Sequence, residues 1–404
     1  MKRLLSINLP RALGVSALGM AVVVAAEPPE SAEVAAAMGR MVDAREVAGA
    51  VTLVAAPDRI LHLGATGFSN LARHEPLSTD AFFWIASMTK PFVSVSILML
   101  QDEHKLSVDE PVEKYLPKLG ALKTSTGERA HITIAQLLSH TSGLPEIDRA
   151  VYHAATTLDQ VASHYSPAKL QFDPGHGWKY TSVNFDLAAR IVEQLSGESF
   201  DQFLAERLFA PLGMRDTTFY PTDAQWARLA GCYARDRATG ELRPQPQAIG
   251  RPMRGHFAPL GAGGLFSTAS DIGRFCQMLL GRGQLESRRY LSPDAVAALA
   301  KIQTGSIPTG FVADRPEPVL GWGLGVFVVR ARDDGASAFL SVGSFGHAGA
   351  NGTDMIIDPV AGRAYVVMVQ RPNLPNNFNN PVGRAFLAAA VPSSTGRSPV
   401  RSAQ

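Results

Sequence analysis

Segments with the pattern of β-strands lie near both ends of this 404-residue chain, and they constrain its fold more than any other feature. Near the N-terminus, two apolar or alternating runs flank the turn Pro57-Asp58-Arg59, which predicts a β-hairpin. Four further runs of this kind follow residue 320. The predicted strands are residues 49–55, 60–67, 321–330, 338–342, 354–357 and 363–370. Strands at both ends predict one antiparallel sheet that is assembled from the two ends of the chain.

The segment between these strand regions has the pattern of helices joined by loops. Helices are predicted at residues 134–140, 158–165, 183–195 and 200–209, and no strand is predicted there. Residues 243–254 are rich in proline and arginine, which indicates a loop of the kind that can border an active site. We therefore expect an α/β domain built from residues 27–108 and 261–391, an inserted helical domain over 109–260, and a disordered tail over 392–404.

The N-terminus has the pattern of a secretory signal peptide. Lys2 and Arg3 precede an apolar run at residues 12–24, and small residues at 24–26 precede Glu27. A signal peptide over residues 1–26 predicts an exported protein, periplasmic or secreted. The apolar run is too short for a comfortable membrane span, so none is expected in the mature chain. An uncleaved anchor at the membrane surface is the alternative.

Composition excludes several classes of function. Charged residues make up 18% of the chain, the formal net charge is +2, and the basic residues are dispersed, so nothing indicates nucleic-acid binding. The ten histidines are scattered, without the spacing of a zinc site, and neither a metal nor another cofactor is expected. His140 is interpreted as a turn residue. Cys232 and Cys276 could pair after export, but free thiols are favoured because Cys276 lies in an apolar helical pattern.

Ser87 and Lys90 lie three residues apart at the start of a predicted apolar helix. Residues at this spacing share a helix face, so the lysine amine can reach the serine hydroxyl. A neighbouring base makes a hydroxyl nucleophilic, and N–H groups at a helix start can stabilise an oxyanion. The same spacing occurs at Ser166 and Lys169, where proline and glycine soon break any helix. On the motif alone, a core lysine that reaches solvent is equally compatible.

Five further segments accompany the Ser87 motif in a fixed order. They are 137–144 (Leu-Leu-Ser-His-Thr-Ser-Gly-Leu), 180–182 (Tyr-Thr-Ser), 263–271 (Gly-Gly-Leu-Phe-Ser-Thr-Ala-Ser-Asp), 321–325 (Gly-Trp-Gly-Leu-Gly) and 345–352 (Phe-Gly-His-Ala-Gly-Ala-Asn-Gly). Over residues 48–391 the chain resembles serine hydrolases that include class C β-lactamases, D-alanyl-D-alanine carboxypeptidases, D-aminopeptidases and family VIII carboxylesterases. The resemblance implies an α/β, β-lactamase-like fold, with a central antiparallel sheet flanked by helices and a mostly helical inserted domain.

The resemblance also implies catalytic roles for the matching residues. Ser87 would be the acylated nucleophile and Lys90 would accept its proton. Tyr180 would pass a proton to the leaving group and activate the water that removes the acyl group. The backbone N–H groups of Ser87 and Ala350 would form the oxyanion hole.

Two departures from the family's pattern concern substrate binding. Class C β-lactamases carry Lys-Thr-Gly where this chain has His347, Ala348 and Gly349, so a side chain mostly neutral near pH 7 replaces a permanent cation. Their Tyr-x-Asn becomes a pattern ending in Ser182, which shortens an amide to a hydroxyl. We expect Ser182, His347, Gly349 and Ala350 to bind the substrate, but the loss of the lysine makes binding of β-lactam carboxylates doubtful.

These observations predict an exported serine hydrolase that works without a metal on a small-molecule ester or amide. Carboxylesterase activity is favoured. A D-amino-acid amidase or peptidase, a weak class C-type β-lactamase and a transacylase are alternatives within the enzyme class. A protein that senses peptidoglycan or β-lactams with negligible turnover is the alternative outside it.

Overall fold

The computed structural model describes residues 29–164, 169–247, 249–309, 319–372, 374 and 378–392. The predicted signal peptide, and the predicted tail from residue 393 onward, lie outside these residues. The helices are α1 (Pro29–Asp43), α2 (Lys90–Asp102), α3 (Ile134–Leu138), α4 (Arg149–Ala154), α5 (Leu158–Ser163), α6 (Val183–Ser196), α7 (Phe200–Leu204), α8 (Ala210–Leu212), α9 (Asp223–Ala227), α10 (Ala269–Leu280), α11 (Pro293–Ala300) and α12 (Pro381–Ala390). The strands are β1 (Gly49–Ala55), β2 (Ile60–Asn70), β3 (Glu75–Pro76), β4 (Phe83–Trp84), β5 (Tyr233–Arg235), β6 (Leu242–Pro244), β7 (Phe266–Ser267), β8 (Gln284–Leu285), β9 (Arg288–Arg289), β10 (Leu320–Trp322), β11 (Phe327–Val329), β12 (Phe345–Ala348), β13 (Asp354–Asp358) and β14 (Arg363–Met368).

Eight strands form one antiparallel sheet in the order β10-β11-β12-β13-β14-β1-β2-β3. β1 lies inside the sheet, where Val51 stands opposite Met368 of β14 and Ala65 of β2. The N-terminal hairpin therefore joins strands that come from the C-terminal end of the chain. This confirms the predicted antiparallel sheet and its assembly from both ends.

Side chains of the sheet enter two cores on opposite faces, because successive residues of a strand point to opposite sides. In β1, Val51 and Leu53 belong to the core that contains α2 and α10. Ala50 and Val54 belong to the core that contains α1 and α12. Helices therefore cover both faces of the sheet, which explains why β1 is buried along its whole length.

Helix α2 passes through the larger core and determines where the catalytic candidates lie. Its residues from Lys90 to Leu100 are all buried, as expected for a helix that is apolar on every side. Lys90, the charged residue of this run, is 1% exposed. An amine so far from water needs protein groups as partners.

The central helices occur close to their predicted positions, as α3, α5, α6 and α7, although residue 165 lies outside the described part of the chain. The prediction that residues 109–260 lack strands is wrong, because β5 and β6 form a small hairpin there. The Asp236 carboxylate accepts hydrogen bonds from the N–H groups of Ala238 and Thr239, which stabilises the turn of this hairpin. The domain boundaries remain a prediction.

Two strand predictions near the C-terminal end are also wrong. Residues 321–330 form the hairpin β10–β11 and not one strand, since Gly325 has a φ of +73° and reverses the chain. Residues 338–342 do not form a strand. Their apolar residue Leu340 packs in the core with Phe386 of α12, so its hydrophobicity reflects contact with a helix. Within the described residues, no helix is long and apolar enough to cross a membrane.

Candidate active site

Ser87 lies in a 3-10 turn, Ala86–Thr89, which leads from β4 into α2. Ala86 has a φ of +47°, a left-handed conformation that is strained for a residue with a side chain. The Thr89 hydroxyl donates to the carbonyl of Ala86 at 2.6 Å and accepts the N–H of Leu265 at 3.1 Å. These bonds tie the strained turn to the segment before β7, so Ser87 is held by two parts of the chain.

The Lys90 amine lies directly beside the predicted nucleophile. Its Nζ is 3.2 Å from the Ser87 Oγ and donates to the carbonyl of Ala262 at 2.7 Å. It also lies 4.7 Å from the centroid of the Tyr180 ring. The structure thus brings the three predicted catalytic side chains together around one buried amine, which can take up the hydroxyl proton when the amine itself is unprotonated.

Tyr180 precedes α6 and packs against an aromatic cluster that includes His140 and Trp322. The His140 ring centroid lies 4.4 Å from that of Tyr180, and its φ of +61° agrees with the predicted turn. Burial, with Lys90 and His347 nearby, holds the pKa of His140 well below its usual value. Because the N–H of Thr181 donates to its Nδ1 at 3.2 Å, the neutral ring carries its proton on Nε2. His140 therefore supports Tyr180 as an uncharged packing surface.

His347 occupies strand β12 and is buried. Its Nδ1 donates to the carbonyl of Ala348 at 2.8 Å. Burial, together with the charge of Lys90, lowers the pKa of His347 to about 3. The side chain is therefore neutral at physiological pH and does not supply the cation that the Lys-Thr-Gly pattern provides.

Gly349 lies where the end of β12 meets the turn that carries Ser87. The Thr353 hydroxyl donates to the carbonyl of Ile85 at 3.3 Å, and the N–H of Gly349 donates to the carbonyl of Thr353 at 2.7 Å. A Cβ added to Gly349 would lie 2.4 Å from the Ile85 oxygen and 2.2 Å from the Thr353 hydroxyl. Only glycine fits, and this close approach is what an oxyanion hole shared by Ser87 and Ala350 requires.

We expect Gly349→Ala to lower turnover by roughly 100-fold, because the added methyl forces the Ala350 N–H away from Ser87. The strain should also destabilise the fold by about 1–3 kcal/mol. Activity and urea denaturation of the purified variant test both effects. Gly39→Ala is the matched control, since Gly39 lies within α1 with nothing within 4 Å of the added Cβ. Equal turnover in the two variants would contradict this role of Gly349.

Ser87 opens into a cavity of about 650 Å³ whose wall is mainly apolar. The described residues that line it are Trp84, Ala86, Ser87, Glu146, Ile147, Tyr152, Ala155, Ser182, Phe219, Ile249, Gly250, Pro252, Phe257, Ala258, Leu260, Ala262, Gly263, Gly264 and Ala350. Of the predicted site residues, Ser87, Ser182 and Ala350 are therefore in the lining. Lys90, Tyr180, His347 and Gly349 are not.

The loop rich in proline and arginine borders this cavity, as the sequence indicated. It contributes Ile249 and Pro252 to the wall. Its arginines bond to groups outside the lining. Arg243 pairs with Asp236 and Glu241, Arg251 donates to Asp223 and to the carbonyl of Pro221, and Arg254 pairs with Asp201. The loop therefore adds hydrophobic surface to the cavity and not positive charge.

Asp186 is a site residue that the sequence analysis missed. Its carboxylate accepts the N–H of Ala262 at 3.0 Å, and the carbonyl of Ala262 accepts a hydrogen bond from the Lys90 amine. Burial raises the pKa of Asp186 to about 7. The Ala262 N–H, the Tyr152 hydroxyl and the charge of Lys90 lower this pKa, whereas the nearby Glu146 raises it. The available clue was a carboxylate on the buried face of α6, one residue before the core position Leu187.

Asp186→Asn should make stability less dependent on pH. An aspartate with a pKa of 3.8 in the unfolded chain and about 7 in the folded chain keeps its proton only in the folded state between these values. Its contribution to stability therefore falls as the pH rises from 4 to 7 and is constant above, with a change of at most about 4 kcal/mol. Asparagine can still accept the Ala262 N–H without a charge.

Urea midpoints at pH 4.5 and pH 8 measure this effect. The variant should gain stability over the unmodified protein at pH 8 but not at pH 4.5. Asp58→Asn removes an exposed carboxylate and serves as the control. If the difference between Asp186→Asn and the unmodified protein is the same at both pH values, Asp186 does not hold its proton in the folded chain.

Among the described residues, no group of three or more His, Cys, Asp and Glu side chains could hold a metal ion. Cys232 and Cys276 are free, buried thiols. Burial raises the pKa of Cys232 to about 11, so it remains protonated. Neither cysteine is placed as a nucleophile of this site.

Comparison with known proteins extends the likeness over most of the chain. A sequence model of the family described as Beta-lactamase matches residues 34–389. Esterase EstB of Burkholderia gladioli is 29% identical over 325 residues, covering 73% of this chain and 78% of that protein. Lovastatin esterase of Penicillium rubens is 28% identical over 329 residues, covering 73% and 82%. The solved structure described as EstCE1, a hydrolase with promiscuous acyltransferase activity, matches with a TM-score of 0.76 at 23% identity, over 90% of this chain and 99% of that one.

Proposed function

Because this chain belongs to the β-lactamase family and is a serine hydrolase, we propose that it is a carboxylesterase that acts on small esters through an acyl-enzyme on Ser87. The observation that carries the proposal is the setting of Ser87. Its hydroxyl lies 3.2 Å from a buried amine and opens into an apolar cavity, in which the charged residue among the described lining is a carboxylate, Glu146.

This setting favours esters over the carboxylate-bearing substrates of β-lactamases and D,D-carboxypeptidases. The carboxylate of such a substrate is bound best by a cation at its own position. Here His347 is neutral, and the cavity wall formed by the described residues carries no lysine, arginine or histidine. The esterases named among the relatives support the same choice.

Acylation would begin with attack of the Ser87 Oγ on the ester carbonyl as its proton moves to Lys90. The N–H groups of Ser87 and Ala350 would stabilise the negative oxygen of the tetrahedral intermediate. Collapse of the intermediate breaks the bond to the alcohol, which leaves with a proton delivered through Tyr180. Water then attacks the acyl group, gives up a proton to the same groups, and releases the acid and the free Ser87 hydroxyl.

Export is part of the proposal. It is supported by Lys2 and Arg3 ahead of the apolar run at residues 12–24. Expression of the full chain in a bacterium with a secretion pathway, followed by intact-mass measurement, should find a mature form beginning at Glu27. A full-length cytoplasmic product would contradict it.

Intact-protein mass spectrometry during turnover tests the activity. The protein is incubated with a short-chain p-nitrophenyl ester and, separately, with a chromogenic cephalosporin, while product release and any adduct on Ser87 are followed. We expect ester turnover with little cephalosporin hydrolysis. Rapid cephalosporin hydrolysis would identify a β-lactamase, and a stable adduct without turnover would identify a sensor. Turnover of D-amino-acid amides alone would identify an amidase or peptidase.

A further inference from the structure

Glu146 stands out in the cavity because its surroundings are apolar or uncharged. It follows the buried segment 138–144 and is exposed, while its neighbours in the lining include Ile147, Ala155 and Phe257. The N–H of Ser182 donates to the Glu146 Oε1 at 2.5 Å. The carboxylate is therefore held beside Ser182, at the start of α6, on an exposed side chain that lines the cavity.

The charges around the cavity leave this carboxylate without a matching cation in the lining. Lys90 is committed to Ser87 and to the carbonyl of Ala262. In the bordering loop, Arg251 and Arg254 are paired with Asp223 and Asp201, and Arg243 is paired with Asp236 and Glu241. A positive charge placed in the cavity would be attracted to this region, and a negative charge repelled.

We propose that Glu146 makes the enzyme selective for esters whose acyl part carries a cationic group, such as a quaternary or protonated amine. The apolar wall would hold the carbon chain and Glu146 would hold the charge. The inference rests on the proposed esterase function, because it places the acyl part of the ester in the cavity beside Ser87. It assigns to Glu146 a role in specificity, separate from the bond-breaking steps at Ser87, Lys90 and Tyr180.

A pair of substrates with equal shape and different charge tests the proposal. One is the p-nitrophenyl ester of γ-trimethylammonio-butyric acid, and the other is its neutral isostere, in which carbon replaces the nitrogen. Each kcat/KM is divided by the rate of hydrolysis in hydroxide, which removes the difference in chemical reactivity. We expect the corrected value to be roughly tenfold higher for the cationic ester, with the preference reduced in high salt.

Variants then identify the residue responsible. Glu146→Gln should bring the ratio of cationic to neutral ester close to one, whereas Glu146→Asp, which keeps the charge on a shorter side chain, should keep part of the preference. Asp148→Asn is the matched control, because Asp148 lies two residues away and is not in the lining. Its ratio should stay within about twofold of the unmodified protein.

A ratio near one in the unmodified protein, or an unchanged ratio in Glu146→Gln, would overturn the proposal. If a variant fails to fold, the two substrates still show whether the unmodified protein prefers the cationic ester. Failure of the esterase function looks different, since neither ester would then be hydrolysed and no acyl adduct would form on Ser87. Hydrolysis of both esters at equal corrected rates would support the esterase function but contradict the proposed selectivity for cationic esters.

Discussion

Replacing Ser87 with alanine is expected to abolish the acyl-enzyme and to lower ester turnover by roughly a thousandfold or more. The Ser87 Oγ opens into the cavity within reach of the Lys90 amine, so its removal takes away the proposed nucleophile. The fold should be nearly unaffected, because a small side chain at the cavity surface contributes little packing. Stability should change by no more than about 1 kcal/mol. Intact-mass spectrometry, steady-state kinetics and thermal melting measure these three effects.

Ser96→Ala provides the matched control for this prediction. Ser96 lies in the same part of the chain, on α2, but its hydroxyl donates to the carbonyl of Phe92 and it is not in the cavity lining. This variant should keep its turnover and its adduct. Wild-type turnover in Ser87→Ala would show that another residue is the nucleophile.

Lys90→Met is expected to have the second large effect, a loss of roughly a thousandfold in kcat, with the nucleophile still present. Methionine matches the length of the lysine but cannot accept the Ser87 proton. It also leaves the Ala262 carbonyl without its 2.7 Å partner, which should cost about 1–3 kcal/mol. Removal of a buried amine offsets part of that cost, so the protein should stay folded.

The reaction with a fluorophosphonate probe separates the two roles. Ser87→Ala should remove labelling completely, whereas Lys90→Met should only slow it, because the hydroxyl is still there. Lys105→Met, at an exposed lysine that pairs with Glu103 just after α2, is the control and should behave as the unmodified protein. Labelling of Lys90→Met at the normal rate would exclude Lys90 as the base.

Much of the fold could be predicted from the chain because the patterns involved are local. The hairpin β1–β2 and the strands β13 and β14 are short apolar runs bounded by turn residues, and each forms where its pattern predicts. Prediction failed where hydrophobicity had another cause. The apolar residue Leu340 packs with α12 and does not belong to a strand. The apolar run at 321–330 folds back at Gly325 and forms two strands. A pattern of apolar residues indicates that a segment is buried, but it does not indicate which element the segment packs against.

Some residues of the candidate site were predicted from local sequence, and others were not. Ser87, Lys90 and Tyr180 were predicted from a motif and a resemblance, and the structure places them together. Asp186 and Glu146 were missed. Neither belongs to a short motif, and each enters the site through a contact with a distant residue, Ala262 in one case and Ser182 in the other.

Residue order and spacing alone indicate the family, the antiparallel sheet built from both chain ends, and the pairing of Ser87 with Lys90 that we propose as nucleophile and base. These follow from residue order and spacing, which helix and strand geometry convert directly into shared faces. The charge of the cavity depends on contacts between distant parts of the chain. His347 is neutral because strand β12 buries it beside Lys90, and Arg251 and Arg254 are paired with Asp223 and Asp201. Glu146 is left as the charge among the described lining residues, since electrostatics depends on burial and distance between residues far apart in the chain.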